Sequence, residues 1–349
     1  MDNSELLCKL EKLEVEIESL KKWQAEVNSI LSGILNMLEN GKGADEDLRR
    51  QLATVYKMAK INRFRIDSLP YEMAAPDYEI KAVFPKLLSI EETRSLIINE
   101  RKSIARLGDG EFSAIVGVRR WNFQGESEAL GKRMREVLSS DNQDLLVGLN
   151  PNFYSSLQGL SEEDADSVRA YMRPMVRELH AQLLKPDKTY ADALFSRMDS
   201  AEDVAALKKI WEDRDCVIVE GQYTRMGIGN DLLDGARSIK RLLAPSESAF
   251  DRYDEILSEA KKLPSDALIL IALGPTATVL AYDLCHAGYQ ALDVGHLDLI
   301  YEKFVRGLSS LYEVKIPYKY CNSDEQGDRR QIEELNDPVY EGQIIARIY

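Results

Sequence analysis

The sequence predicts an α/β protein whose main body is a Rossmann-like, mostly parallel sheet, preceded by an N-terminal α-helical coiled coil. Three observations support this prediction. Residues 6–38 carry a heptad pattern of apolar residues. Beyond residue 90, short apolar segments alternate with longer segments of helical periodicity. The short segments are apolar throughout, as is typical of strands covered on both faces.

The heptad seam is formed by apolar residues spaced alternately three and four apart, with one gap. The seam residues are Leu6, Leu10, Leu13, Ile17, Leu20, Val27, Leu31, Ile34 and Leu38. Gln24 fills the gap at an a position, where a polar residue can specify register. An isolated helix of this length is marginal in water. We therefore expect self-association into a homo-oligomer through residues 6–38, with an intramolecular hairpin as the alternative.

The apolar patterns and the prolines divide the chain into three predicted segments. Residues 1–40 are predicted to form the coiled-coil oligomerisation helix. Residues 41–89 contain a second, weaker helical pattern over 48–66 and a connector marked by Pro70, Pro76 and Pro85. Residues 90–349 are predicted to form the α/β domain.

The α/β domain is predicted from its periodicity to contain six strands and at least six helices. The predicted strands cover residues 103–107, 144–149, 216–219, 239–243, 267–273 and 290–294. The predicted helices cover residues 91–100, 126–138, 162–184, 202–213, 249–262 and 276–287. In parallel sheets of this kind, ligands bind beyond the carboxyl ends of the strands.

Composition excludes several functional classes. The formal net charge of −14 argues against a broad nucleic-acid surface, which needs an excess of Lys and Arg. No apolar stretch approaches the roughly 20 residues of a membrane span, and the first residues are acidic, unlike a secretory signal. A cytoplasmic protein is expected. Its four widely spaced cysteines indicate neither a disulfide framework nor a zinc site.

The first candidate site motif is Arg106-Leu-Gly-Asp-Gly-Glu111, which follows a predicted strand. Gly108 and Gly110 suggest a sharp turn that presents Asp109 and Glu111 together. Two hard carboxylates in this arrangement suit Mg²⁺ or Mn²⁺ bridged to a diphosphate. A tight turn with solvated acids would account for the same residues.

Two further motifs carry glycines after predicted strands. In residues 219–232, Gly227-x-Gly229 is followed by Leu232 where a dinucleotide fingerprint has its third glycine, which disfavours a nicotinamide site. Arg225 beside this turn could hold a phosphate, although the glycines could equally serve the turn alone. In Leu273-Gly-Pro-Thr-Ala-Thr-Val279, Gly274 opens a helix whose N-terminus suits an anion, while Thr276 could simply be its N-cap.

The fourth motif is Asp293-Val-Gly-His-Leu-Asp-Leu-Ile-Tyr-Glu302, where a strand leads through His296 into a helix. Asp298 and Glu302 are four residues apart and therefore share a helical face. A histidine beside acids at a strand end could bind a metal or transfer a proton. A capping histidine with solvated acids is the alternative.

Together with Gly-Asn-Asp-Leu-Leu-Asp at residues 229–234, these motifs resemble the GT-D class of glycosyltransferases over roughly residues 90–320. The resemblance implies a Rossmann-like fold, a UDP-sugar donor such as UDP-glucose, and Mn²⁺ or Mg²⁺ held by Asp109 and Glu111. It also implies Glu302 as the base, with Asp298 beside it. The candidate substrate-binding residues are Arg106, Gly108, Arg197, Arg225, Asn230, Asp231, Gly274, Thr276, Thr278 and His296.

The reaction expected from this resemblance moves a hexose onto an acceptor hydroxyl of a bacterial glycoprotein or surface glycan, with inversion if a base activates that hydroxyl. Two alternatives stay open. One is another Rossmann-type enzyme with a nucleotide cofactor. The other is a coiled-coil scaffold whose nucleotide-binding domain does not turn over. Acceptor, sugar and linkage are not predicted.

Overall fold

The computed structural model describes most of the chain beyond residue 84 and parts of the segment before it. The described residues are 14, 17–18, 21–22, 24–34, 55–56, 58–68, 85–117, 124–125, 127–153, 165–166, 168–169, 180, 182–321 and 332–349. The chain divides into two compact units, residues 1–84 with 152–182 and residues 85–151 with 183–349. The second unit covers most of the predicted α/β domain of residues 90–349, but residues 152–182 belong to the first unit.

The described residues of the first unit are helical. Residues 24–34 and 58–68 both lie in helices, and the buried Gln24 side chain donates a 3.0 Å hydrogen bond to the Ala59 carbonyl. Arg65 also pairs with Asp166 at 2.8 Å. The hydrogen bond from Gln24 to Ala59 joins two helical segments of the same chain, which is the kind of contact that the intramolecular hairpin alternative would make. Self-association stays a prediction. Much of the heptad seam lies outside the described residues, and so do Pro70 and Pro76 of the connector.

Among the described residues of the second unit there are nine strands, most of them separated by helices. The strands are β1 (Lys86–Leu87), β2 (Ser103–Leu107), β3 (Leu145–Leu149), β4 (Thr189–Asp192), β5 (Asp215–Gly221), β6 (Ser238–Ala244), β7 (Leu268–Ala272), β8 (Gln290–Asp293) and β9 (Ile344–Arg347). The helices are α1 (Ile90–Asn99), α2 (Asp109–Ile115), α3 (Glu128–Ser139), α4 (Ala201–Lys208), α5 (Tyr253–Ala260), α6 (Pro275–His286), α7 (Leu297–Val305) and α8 (Pro338–Gln343). Short 3₁₀ turns occupy Pro151–Phe153, Ala249–Arg252 and Leu311–Glu313.

All nine strands belong to one parallel sheet, in the order β1-β4-β3-β2-β8-β7-β5-β6-β9. The chain leaves β2 toward one edge of the sheet and leaves β8 toward the other. This change of direction makes the β2/β8 boundary a topological switch point, where α/β sheets form a crevice at the carboxyl ends of their strands. The four predicted motifs follow β2, β5, β7 and β8, which are consecutive neighbours around this boundary.

The central strands are buried on both faces. Every residue of β7 is buried, and so is every residue of β8. Helix α6 packs against β2 and β8, and Ala277, Leu280 and Ala281 are fully buried there. Burial of a large aliphatic side chain contributes about 1.5–3 kcal/mol. The apolar runs in the sequence therefore correspond to the strands that hold the site.

The six predicted strands are confirmed to within two residues at each end, and the parallel arrangement is confirmed. The prediction omitted β1, β4 and β9, which are two to four residues long and lie at or next to the sheet edges. It was wrong about the turn at residues 108–111, because Asp109 begins helix α2. Within the described residues, no helix is long and apolar enough to cross a bilayer.

Candidate active site

A cleft of about 930 Å³ opens at the carboxyl ends of the central strands. Its walls come from the ends of β2, β7 and β8, the helices α2 and α3, and the segments after β4, β5 and β6. This volume lies in the range of small-molecule sites. The polar side chains of the lining include four cations and five acids. They are Arg106, Lys132, Arg135, Arg197, Asp109, Glu111, Glu128, Asp293 and Asp298.

Arg106 is held in the floor of the cleft by a buried acid at the end of the neighbouring strand. Its guanidinium pairs with Asp293 at 2.9 Å and donates to the Ala193 carbonyl at 3.2 Å. Gly295 permits this arrangement, because a Cβ atom there would lie 2.0 Å from Arg106 Nη2. The positive φ of Gly295, 53°, also favours glycine. Arg106 therefore contributes a positively charged edge that is fixed in place before any ligand binds.

Asp109 and Glu111 occupy the first turn of α2 and line the cleft. Gly108 is the N-cap in an extended conformation, and its N–H donates to Glu111 Oε2 at 2.8 Å. Residues 108–111 thus form the capped N-terminus of a helix. Asp109 and Glu111 lie in its first turn, where the helix dipole is positive and favours acids. This corrects the predicted sharp turn, since neither Gly108 nor Gly110 has a positive φ.

The surroundings of Glu111 disfavour its ionised form. Burial, together with the nearby charges of Asp293 and Asp109, raises the pKa of Glu111 to about 7. A cation bound nearby would favour the ionised form of the Glu111 carboxyl group. Among the described residues, no set of three or more His, Cys, Asp or Glu side chains forms a metal site by itself. The carboxylate oxygens of Asp109 and Glu111 suit Mg²⁺ or Mn²⁺, which commonly take only one or two protein carboxylates and complete their coordination with phosphate oxygens and water.

His296 also lines the cleft, at the start of α7. Desolvation within the cleft and the positive charges of Arg197 and Arg106 lower its pKa to about 4, although the residue as a whole is exposed. Its imidazole is therefore neutral at pH 7. It can take part in hydrogen bonds with a ligand, but it adds no charge for binding a phosphate.

The two acids of the fourth motif differ in exposure to the cleft. Asp298 lines the cleft, whereas Glu302 lies one helical turn further along α7 and does not. Lys319, which is fully buried, reaches Asp298 Oδ2 at 2.7 Å and Glu302 Oε1 at 3.7 Å. Asn230 donates to both acids, at 3.0 and 2.7 Å. Glu302 is further paired with Arg306 at 2.8 Å. The two acids thus form one buried polar cluster, with Asp298 facing the ligand space.

The Gly-x-Gly segment after β5 supports this cluster. Gly227 and Gly229 both have positive φ, and the Gly227 N–H donates to Asp298 Oδ1 at 2.8 Å. The predicted phosphate contact of Arg225 is corrected, because its buried guanidinium donates to the carbonyls of Tyr318 and Glu333 at 2.5 and 3.0 Å and lies outside the cleft lining. The glycines therefore serve the turn.

The Gly274 motif reaches the cleft through its first residues only. Gly274, with φ of 53°, and Pro275 line the cleft at the N-terminus of α6. Both threonines are buried outside the lining: Thr278 donates to the Arg106 carbonyl at 2.9 Å, and Thr276 to Gln124 at 3.4 Å. The predicted ligand contacts of the two threonine side chains are therefore replaced by internal hydrogen bonds.

The structure brings some predicted residues to the cleft and leaves others outside it. The cleft is lined by Arg106, Gly108, Asp109, Glu111, Arg197, Gly274, His296 and Asp298. Outside the lining lie Arg225, Asn230, Asp231, Thr276, Thr278 and Glu302. Asp231 is exposed and pairs with Lys208 at 2.8 Å. The prediction missed Lys319, Ser246 and Tyr320, which lie in no recognisable motif.

The sequence matches the model of the family described as "Glycosyltransferase GT-D fold" over residues 104–324. It is similar to "Probable glycosyl transferase Gly" of Streptococcus gordonii, with 34% identity over 269 residues, 75% of this chain and 39% of that protein. It is also similar to "Glycosyltransferase GlyD" of Streptococcus pneumoniae serotype 4 (strain ATCC BAA-334 / TIGR4), with 36% identity over 266 residues, 74% of this chain and 32% of that protein. The chain thus spans about a third to two fifths of the length of these curated relatives.

A solved structure of domain of unknown function 1792, described as having a distinct glycosyltransferase fold, is similar in three dimensions. It shares 33% sequence identity, has a TM-score of 0.71, and is matched over 80% of this chain and 100% of its own. A second solved structure, a glycosyltransferase (DUF1792) from Streptococcus sanguinis, shares 35% identity with a TM-score of 0.69. The match covers 76% of this chain and 100% of that one.

Proposed function

This chain belongs to the glycosyltransferase GT-D fold family, and on that basis we propose that it transfers a hexose from a UDP-sugar to an acceptor hydroxyl, with Mn²⁺ or Mg²⁺ bound. Glucose from UDP-glucose is the proposed donor. The proposed acceptor is a bacterial glycoprotein or surface glycan. The observation that supports the proposal most strongly is the acidic pair Asp109 and Glu111 on the wall of a cleft that also carries Arg106 and Arg197.

Asp109 and Glu111 would hold the metal ion. When bound, the metal supplies positive charge that stabilises the diphosphate leaving group. Two protein carboxylates would be enough protein ligands for such an ion, which commonly takes only one or two.

The phosphate contacts proposed for the protein come from Arg197 and the start of α6. Arg197 lines the cleft, and a guanidinium can bind two phosphate oxygens at once. Gly274 and Pro275 place the N-terminus of α6 at the same wall, where the helix dipole favours an anion. Arg106 is already paired with Asp293, so we assign it a positioning role at the floor of the cleft.

Asp298 is proposed to accept the proton of the acceptor hydroxyl, with Glu302 acting through the shared cluster. Asp298 is the one of the two that lines the cleft. Lys319 and Asn230 contact both carboxylates, so a change at Glu302 is transmitted to Asp298. A base on the acceptor side of the sugar implies attack by the hydroxyl itself, and therefore inversion at the anomeric carbon.

Asp298→Asn should lower kcat for transfer about 10²-fold, the usual cost of losing a general base, while UDP affinity changes little. Glu302→Gln should have a smaller effect, because the Asp298 carboxylate remains. Single-turnover transfer and UDP titration of both variants measure this difference. Thermal unfolding checks that each variant is folded.

The reverse order, with Glu302→Gln the more damaging change, would assign the base to Glu302 as the family resemblance implies. A loss of UDP affinity with unchanged transfer per bound complex would instead make the acids ligand-holding residues.

The choice of ligand class can be tested by calorimetric titration with UDP-glucose, other nucleotide sugars, NAD⁺ and S-adenosylmethionine, each with and without Mn²⁺. We expect binding of a UDP-sugar that tightens with Mn²⁺. Binding of NAD⁺ or S-adenosylmethionine in preference to every nucleotide sugar would replace the proposal with a different Rossmann-type enzyme.

A further inference from the structure

The connection between β4 and α4 brings Arg197 to the cleft. Residues 193–196 form a turn after Asp192, the last residue of β4, and Arg197 follows this turn outside any helix or strand. The Arg197 side chain lines the cleft. Side chains on irregular segments are placed less precisely than those on helices or strands unless their backbone is supported. The position of the Arg197 guanidinium therefore depends on the groups that fix residues 193–197.

Arg94 of α1 binds the backbone of this segment. The residue is only 4% exposed and lies outside the cleft lining. Its Nε donates to the Phe195 carbonyl at 2.8 Å, and its Nη2 donates to the Arg197 carbonyl at 2.7 Å. Its Nη1 pairs with Asp203, in the first turn of α4, at 2.9 Å. One buried guanidinium thus joins the segment to both helices through three charge-assisted hydrogen bonds.

The N-termini of the two helices are capped by other side chains. In α1, the Ser89 hydroxyl accepts from the Glu92 N–H at 3.1 Å, and the Glu92 carboxylate accepts from the Ser89 N–H at 2.8 Å. In α4, the Ser200 hydroxyl accepts from the Asp203 N–H at 3.1 Å. A buried charge is costly unless its hydrogen bonds are made, and two of the three bonds of Arg94 are made to the segment. The placement of Arg94 is therefore explained by the segment better than by the helix ends.

The start of the same segment is bonded to the central strands. The Ala193 N–H donates to the carbonyl of Leu149, the last residue of β3, at 3.0 Å. The Ala193 carbonyl accepts from Arg106 Nη1 at 3.2 Å. The sheet thus fixes the segment where it begins, and Arg94 binds it where it carries Arg197.

We propose that Arg94 is a positioning residue for the donor: by fixing the carbonyls of Phe195 and Arg197, it holds the Arg197 guanidinium where it meets the diphosphate. The inference rests on the proposed function, in which Arg197 binds phosphate. A phosphate that meets a guanidinium on a fixed backbone orders less of the protein, so less conformational entropy is lost on binding. Because Arg94 acts through Arg197, only ligands that carry phosphate should respond to its removal.

Calorimetric titration with UDP and with uridine, each in the presence of Mn²⁺, tests the proposal. Arg197→Met should weaken UDP binding about tenfold or more, the scale of losing a hydrogen bond to a charged group. Arg94→Met should weaken UDP binding about threefold to tenfold, the scale of immobilising one long side chain. Uridine carries no phosphate, so its affinity should stay unchanged in both variants.

The double variant Arg94→Met, Arg197→Met should bind UDP as weakly as Arg197→Met alone, because no guanidinium is left to position. Arg94→Lys keeps the buried charge without the planar fork, so it should show the same loss selective for UDP even if Arg94→Met does not fold. Arg214→Met is the matched control. Arg214 precedes β5 and bonds to Gln290, the first residue of β8, at 2.8 Å, so it lies at the amino ends of the strands, away from the cleft. This control should keep its UDP affinity.

Additive losses in the double variant, or unchanged UDP affinity in the Arg94 variants, would overturn the inference and leave the proposed function standing. Equal losses of UDP and uridine affinity would also overturn it, because Arg94 would then serve the fold alone. Unchanged UDP affinity in Arg197→Met would remove Arg197 from the phosphate site and leave Arg94 nothing to position. Failure of the unmodified protein to bind UDP would refute the proposed function, and the inference with it.

Discussion

The double variant Asp109→Asn, Glu111→Gln should lose Mn²⁺-dependent turnover of the sugar nucleotide by at least about 10²-fold. Metal charge at a leaving group provides several kcal/mol of transition-state stabilisation, and 1.36 kcal/mol corresponds to tenfold in rate. The fold should survive, because the amide oxygen of a glutamine at position 111 can still accept the Gly108 hydrogen bond that caps α2. Turnover with and without Mn²⁺, beside urea unfolding, measures both effects.

Asp231→Asn is the matched control for this variant. Asp231 is an exposed acid that pairs with Lys208 outside the cleft, so its neutralisation should leave Mn²⁺-dependent turnover near that of the unmodified protein. Full Mn²⁺-dependent activity in the double variant would refute the metal assignment.

Arg241→Met should lower the free energy of unfolding by about 3–5 kcal/mol, the usual cost of leaving one member of a buried ion pair alone. Arg241 on β6 and Glu220 on the neighbouring β5 are offset by two residues in register, are about 1% and 0% exposed, and have 2.6 Å between Nη1 and Oε1. Arg241 also donates to the Met226 carbonyl at 2.9 Å, and Glu220 accepts from the Met226 N–H at 2.8 Å. The ion pair therefore fixes the backbone of Met226, and the next residue, Gly227, donates its N–H to Asp298.

The loss should depend on pH. Burial already raises the pKa of Glu220, and without Arg241 this carboxyl will bind a proton more readily still. An acid with a folded-state pKa above its unfolded-state pKa favours folding at low pH, and this contribution is lost as the pH rises through the folded-state pKa. Urea unfolding should therefore show a larger deficit at pH 8 than at pH 5.

Arg252→Met provides the control. Arg252 pairs with Glu255 at 2.5 Å, but the two side chains are 37% and 57% exposed, so its removal should cost less than about 1 kcal/mol. Equal losses for the two arginine variants would show that burial of the Arg241 pair does not determine its contribution.

The inner strands were predictable because each is an uninterrupted apolar run long enough to be covered on both faces. β7 and β8 are the clearest cases, since all their residues are buried. The prediction of convergent strand-end motifs followed from the same pattern, because parallel strands end at one edge. β1, with two residues, has too little pattern to detect, and its pairing with β4 is what makes it a strand.

The residue roles were less predictable. The four motifs identified Asp109, Glu111, His296 and Asp298 as cleft residues, and the structure places them there. Arg225 shows the limit, because a guanidinium beside a glycine turn can satisfy its donors with carbonyls as well as with phosphates, and only the fold decides. Lys319 could not be found from sequence, since its carboxylate partner Asp298 is 21 residues away and no periodic pattern connects them.

The measurement that tests the central claim most directly is release of UDP from UDP-hexoses by the purified protein, followed with Mn²⁺, with Mg²⁺ and with a chelator. We predict release that requires a divalent metal, is fastest with UDP-glucose, and increases when a saccharide acceptor is added. UDP binding without release from any UDP-hexose, with either metal and with acceptor present, would contradict the account and indicate a nucleotide-binding module instead of a transferase.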